Sequence, residues 1–150
     1  MKKLKNLSVA MLMVTVLASC DKDDNEEIIK TEDLPATGQS FLKEHFGDQK
    51  IISVEKENEG SEGIEYEARL DNGVVVKFDK DGVWKEADAP ANLYLPTAFI
   101  LPTIVNYVGT EYPDAGINDI DKERAGFDVE LTSGLDLVFN LDGDFVRIDL

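Results

Sequence analysis

The sequence predicts an α+β fold. Two copies of a unit, each one helix followed by four antiparallel strands, join into one curved eight-stranded antiparallel sheet with both helices on one face. Three observations predict it. The stretch YEARLDNGVVVKFDKDGVW, from Tyr66 to Trp84, returns without a gap as FDVELTSGLDLVFNLDGDF, from Phe127 to Phe145. Leu70, Gly73, Phe78, Asp81 and Gly82 match Leu131, Gly134, Phe139, Asp142 and Gly143, and self-similarity at a fixed distance marks an internal repeat. Within each copy the apolar period changes from helical to two-residue alternation. Finally, 43% of the 150 residues are hydrophobic, enough for an ordinary core. One unit alone would leave an apolar face in water, whereas two packed units bury about two-thirds of their unfolded surface.

The elements follow in order. Leu34, Phe41, Leu42 and Phe46 share one helical face, with Asp33 as candidate N-cap, Pro35 in the first turn and Gly47 as the stop. Ile51, Ile52 and Val54 begin a strand. Ile64, Tyr66, Ala68 and Leu70 alternate with Glu65, Glu67 and Arg69, the pattern of a half-buried strand. Asp71-Asn72-Gly73 is a hairpin turn, because Asn-Gly accepts positive φ. Val74, Val76 and Phe78 point inward on the next strand, Asp81-Gly82 turns, and Val83-Trp84-Lys85 starts the fourth. The second unit repeats this. A short turn spans 96–100, and a helix starts at Pro102, carries Ile104, Val105, Val108 and Tyr112, and ends at Pro113. Strands follow around 117–120, 127–131, 135–140 and 145–149. The units are residues 33–88 and 95–150, with 88–94 as the joint. The uncovered sheet face should carry the polar alternates Glu65, Glu67, Arg69, Lys77, Asp79, Asp128, Glu130, Asp136 and Arg147.

The first residues read as an address. Lys2, Lys3 and Lys5 precede an apolar run from Leu7 to Leu17, too short for a permanent membrane span. The run ends Leu17-Ala18-Ser19-Cys20, which resembles the lipobox of bacterial lipoproteins, with Cys20 as the lipidated residue. Residues 1–19 are thus expected to be a signal peptide and 20–32 an acidic tether. Lys22-Asp23-Asp24 resembles an export tag for the outer face of the outer membrane. The expected location is an outer-membrane lipoprotein of a Gram-negative cell, facing the periplasm or the surface.

Charge and composition exclude several functions. Three of the 15 cations precede Cys20 and all 31 acids follow it, so residues 20–150 carry twelve cations against 31 acids, a net −19. A nucleic-acid binder needs a basic patch. One Cys and one His leave no disulfide framework and no zinc site of several such ligands. His45 falls on the apolar helical stripe, reads as packing, and has no nucleophile-elbow serine beside it. Carboxylate catalysis would need a burying cleft that a sheet face does not offer. No catalytic residues are assigned, and the chain is expected not to be an enzyme.

Two candidate sites remain. Asp79, Asp81, Asn140, Asp142 and Asp144 form oxygen-rich, repeat-related turns, which makes them a candidate weak calcium site. Both turns lack the Glu that closes an EF-hand at its twelfth position, since Pro90 stands there in the first copy. Hairpin chemistry accounts for these residues without a metal. Glu65, Glu67, Arg69, Trp84, Asp128 and Glu130 form the candidate partner-binding face, where acidic strips would attract a basic protein. Trp84 reads either as a core aromatic or as an exposed anchor.

The order of LP-x5-FLKEHF, IISVEKE, YEARLDNG and KFDKDGVW, with a second LP-x3-IVNYVGTEYPDAGI, is similar to the PepSY-like, beta-lactamase-inhibitor-like secreted proteins. The resemblance covers residues 34–150 and rests on packing and turn residues. It implies the tandem helix-plus-four-strand architecture. It also implies a secreted or envelope protein that binds or inhibits other proteins, without a catalytic centre, in a family where some members respond to calcium. No inhibitory loop of a lactamase inhibitor is matched residue by residue. The function expected from all this is a non-catalytic, lipid-anchored envelope protein that binds another macromolecule, with inhibition as one form. A calcium-responsive envelope module is the alternative. The membrane is reached through the lipid, and no cofactor beyond candidate calcium is expected.

Overall fold

The computed structural model describes residues 26–58 and 60–149. Among the described residues nine strands form a single antiparallel meander in which every strand pairs with its neighbour in sequence. Strand β1 is Glu26–Ile29. A single 3-10 turn and helix α1 (Ala36–Phe46) lead to β2 (Ile51–Asn58), β3 (Ile64–Leu70), β4 (Val75–Asp79) and β5 (Trp84–Asp88). Helix α2 (Pro102–Glu111) is followed by β6 (Ile117–Glu123), β7 (Gly126–Leu131), β8 (Asp136–Asn140) and β9 (Phe145–Asp149). The fold is thus α+β, with two α-helices and one open antiparallel sheet among the described residues.

The expectation of eight strands needs correction. Glu26–Ile29, assigned to the tether, pairs with β2 in the register Glu26↔Glu57 to Ile29↔Val54. An edge strand leaves N–H and C=O groups unpaired, and β1 supplies partners for those of β2. The Asp33 N-cap expectation also fails. Asp33 ends the 3-10 turn and Pro35 occupies the cap position, without a side-chain cap bond. The Gln39 side-chain amide instead donates to Leu34 O at 2.7 Å.

The core lies between the sheet and the helices. Leu34, Leu42 and Phe46 from the first helix segment, and Ile104 and Val108 from α2, bury against Val76, Phe78, Leu137 and Phe139. The two halves match in detail. On α1, Phe41 meets Phe78 edge-on at 5.8 Å and stacks with Trp84 at 6.2 Å. On α2, Tyr107 meets Phe139 edge-on at 5.5 Å and stacks with Phe145 at 4.6 Å. Each half has a one-residue bulge early in the strand that follows its helix, at Ile52 and at Asn118. Each has another in its last, at Lys85 and at Val146. Bulges bend strands, so both halves bend at corresponding places.

The turn glycines lock each helix start to the sheet. Gly82, at φ +78, sits where a Cβ would come within 2.8 Å of the Gly38 nitrogen. Gly143, at φ +82, sits closer still, where a Cβ would come within 2.1 Å of Thr103 Oγ1. Both positions need positive φ and no side chain.

Candidate functional site

Helices cover one face of the sheet, so the polar alternates line the other. Register settles their identity, because residues directly opposite in an antiparallel pair share a face. Glu65 lies opposite Asp79, Glu67 opposite Lys77, and Arg69 opposite Val75. Asp128 lies opposite Asp121, and Glu130 opposite both Asp119 and Asp136. Five of the six candidate partner-binding residues therefore stand on the open face.

Trp84 does not. Its Cα pairs with Phe78, whose side chain is fully buried, whereas Lys85 and Glu86, on either side of the bulge, both reach partners on the open face. The Trp84 ring is half-buried beneath Phe41 and Phe99, with Lys122 Nζ 4.0 Å from its centroid. Burial holds the Lys122 ammonium below the usual lysine range.

Compensation is uneven across the open face. On the β2–β5 side three of the acids have cationic partners. Arg69 pairs with Glu67 at 2.6 Å, Lys77 with Glu86 at 2.7 Å, and Lys85 with Glu65. On the β5–β9 side, Glu86, Asp119, Asp121, Asp128, Glu130 and Asp136 line a shallow groove of about 530 Å³. Burial, then the neighbouring carboxylates Asp88 and Glu86, push Asp119 up to about 7. Burial foremost, with acidic neighbours adding, also raises Asp88, Asp121 and Asp128. Burial lowers the Lys77 ammonium, but the bond to Glu86 and the charges of Glu86, Glu65 and Glu67 together outweigh it and raise it. Asp88, Asp119 and Asp121 were not singled out from the sequence. The signal was present in the alternation Asp119-Ile120-Asp121, but the partners across the sheet were not.

The candidate calcium turns are occupied by their own backbone. Asp79 Oδ1 accepts from the N–H groups of Asp81 and Val83, both at 2.9 Å. Asn140 Oδ1 accepts from Asp142 and Asp144 at 3.0 and 2.8 Å. Asp81 pairs with Lys80. Among the described residues no group of three or more His, Cys, Asp or Glu is placed to hold a metal ion. His45 is half-buried, 4.7 Å from the Phe41 ring and 5.3 Å from Phe99. Cys20, the signal segment and Lys22-Asp23-Asp24 lie outside the described residues.

Asn118 is a structural residue that the sequence reading passed over. It is the only buried polar side chain among the described residues, and its amide donates to Ala89 O, Pro90 O and Leu93 O at 2.7–3.0 Å. The bulge turns it inward, where it pins the segment joining the halves. Its counterpart in the first half, Ile52, points to water.

Fold and face together define an α+β sheet domain with one face covered by helices and one bare acidic face. The chain belongs to the PepSY-like family, described as "Putative beta-lactamase-inhibitor-like, PepSY-like", whose pattern matches residues 22–74 and 64–147. Among curated proteins none matches. It is similar to the crystal structure of a putative calcium-regulated periplasmic protein from Bacteroides thetaiotaomicron, with 33% identity and a TM-score of 0.78, over 83% of this chain and 97% of that one. A putative periplasmic protein of the DUF2874 family from Bacteroides vulgatus is 30% identical at a TM-score of 0.78, over 85% and 99% of the two chains. A second Bacteroides vulgatus periplasmic protein of unknown function, 24% identical at a TM-score of 0.79 over 84% and 100%, shares the fold.

Proposed function

We infer that this chain is a non-catalytic cell-envelope protein, anchored by lipid at Cys20, that binds another macromolecule on its open sheet face. The observation carrying this reading is the asymmetry of the sheet. Helices bury one face, and the other is a broad acidic surface carrying a shallow groove open to solvent. The periplasmic description of the neighbouring structures supports the location, and the inhibitor-like family name supports binding over catalysis. Duplication of one helix-plus-four-strand unit belongs to this reading, supported by the matched aromatic pairs and bulges. The partner is basic, because steering to an acidic face favours cations and is screened by salt.

Photo-crosslinkers at Glu65, Glu67, Asp128 and Glu130, introduced in the native envelope, should capture one partner in common. Crosslinkers at Lys43 and Thr110, on the helices, should not. Glu65→Lys/Glu67→Lys and Asp128→Lys/Glu130→Lys should each weaken that complex and flatten its salt dependence. Capture from the helix positions alone would overturn the reading. Cys20→Ala should abolish lipid labelling while leaving the fold intact; a diacyl-labelled product in that variant would remove the anchor.

A second reading is a calcium-responsive envelope module. It is favoured by the calcium-regulated description of the 33%-identical neighbour. Repelling carboxylates on the open face are the groups whose spacing a divalent cation would change.

A further inference from the structure

The two halves of the sheet meet only along β5 and β6, and that seam is three residue pairs long: Glu86↔Asp121, Ala87↔Ile120 and Asp88↔Asp119. Ala87 and Ile120 face the core and are fully buried. Both outward pairs therefore set carboxylate against carboxylate. Like charges directly opposite on a sheet destabilise it, and among the described residues no other strand pair consists outwardly of acids alone over its whole length. The repulsion continues sideways. Asp119 is opposite Glu130 on β7, Glu130 opposite Asp136 on β8, and Asp136 opposite Asp149 on β9. One straight row of acids thus crosses five strands.

We propose that the β5/β6 seam is a pH-sensitive joint between the two halves, tightened when the carboxylate row around Asp119 takes up a proton and loosened when it ionises.

The groups facing Asp119 can be enumerated by strand. From β5 come Asp88 and Glu86, from its own strand Asp121, and from β7 Glu130 and Asp128. Beyond them stand Asp136 on β8 and Asp149 on β9. The cations are few. Lys77 on β4 is engaged by Glu86, and Arg147 on β9 by Asp149 at 3.3 Å. Among the described residues Asp88, Asp119, Glu130 and Asp136 form no ion pair. Half-burial at the seam adds to the like-charge repulsion, and the two together raise Asp119 to about 7.

The sign follows from linkage. An aspartate raised in the folded state binds more protons there than in the open state. The seam is therefore strongest in acid and weakens as pH rises through the folded value. Between pH 6 and pH 8 a single group with a folded pKa near 7 and an ordinary open-state value changes the opening equilibrium about tenfold. The proposal does not depend on what docks on the open face.

Hydrogen exchange of the full chain measures it, with protection factors used to remove the intrinsic pH dependence of exchange. Protection at the seam amides, including the Ala89 N–H that donates to Asn118 O at 2.9 Å, should fall about tenfold from pH 6 to pH 8. Amides between β3 and β4 should change much less. Asp119→Asn should flatten the seam response, whereas the charge-matched Glu55→Gln on β2 should leave it intact. A carbon-13 titration of the wild-type Asp119 carboxyl, which needs no variant, should show a midpoint near 7. A flat wild-type profile, an unchanged profile in Asp119→Asn, or a carboxyl midpoint below about 5 would each overturn the proposal.

Discussion

Replacing Asn118 should loosen the segment that joins the two halves. Its amide donates to three carbonyls, Ala89 at 2.7 Å and Pro90 and Leu93 at 3.0 Å. Only Pro90 O has a second partner given by the fold, the Leu93 N–H at 2.7 Å. Ala89 O is the buried member of the set, so Asn118→Ala leaves it without a donor. A net hydrogen bond contributes ~1 kcal/mol and an orphaned buried acceptor costs ~1–3 kcal/mol, so the loss should total about 2–4 kcal/mol. For a domain of this size that corresponds to a fall in melting temperature of roughly 10 °C. Asn118→Asp separates hydrogen bonding from volume. It keeps the shape, loses every donor and faces three carbonyls with a charge, so at neutral pH it should cost more than Asn118→Ala. Its deficit relative to wild type should shrink in acid, where the protonated carboxyl regains one donor. Urea denaturation of the three proteins at pH 5 and pH 7.5 reads both effects. A cost below ~0.5 kcal/mol for Asn118→Ala, or an Asp variant as stable as the Ala variant, would show that the joint is held by something else.

Three further outcomes are expected. A Cβ at Gly126 would lie 1.8 Å from Phe139 O, whereas one at Gly134 meets nothing within 4 Å despite a φ of +77. Gly126→Ala should therefore fail to fold or lose more than ~3 kcal/mol, and Gly134→Ala should lose only ~1 kcal/mol of backbone strain, as read by thermal melts. Trp84 is the chain's single tryptophan, so Phe41→Ala should shift its emission to the red by uncovering the ring. Tyr107→Ala, in the other half, should destabilise similarly and leave the emission unchanged. Calorimetry with millimolar calcium tests the second reading. Heat that vanishes in Asp81→Asn/Asp142→Asn places calcium at the turns, heat that survives there but vanishes in Asp119→Asn/Glu130→Gln places it on the open face, and no heat in the wild type removes the reading.

Much of the fold was legible in the chain because its determinants are local. Alternation in Ile64 to Leu70 and Phe127 to Leu131 states which side chains face the core, and the glycines at 73, 82, 134 and 143 state where the chain must turn. All four adopt positive φ. The open face could be written down from the same alternation, and Glu65, Glu67, Arg69, Asp128 and Glu130 stand there. Strand β1 was not legible. Glu-Glu-Ile-Ile has no period of its own, and it becomes a strand only because β2 offers an unpaired edge. Trp84 was ambiguous for a related reason, since a bulge inverts the facing of everything beyond it and bulges are defined by the partner strand.

The sequence by itself determined the class of fold, the turns, the core and the sign of the charge, because these depend on residue type and spacing along one strand or helix. Only the tertiary structure decided which acids oppose which. Arg69, Lys77 and Lys85 each pair with an acid in the first half of the face, while Asp88, Asp119, Glu130 and Asp136 fall in one row without an ion pair. Electrostatic energy depends on distance through space, and residues 31 positions apart, such as Asp88 and Asp119, become neighbours only when β5 and β6 pair.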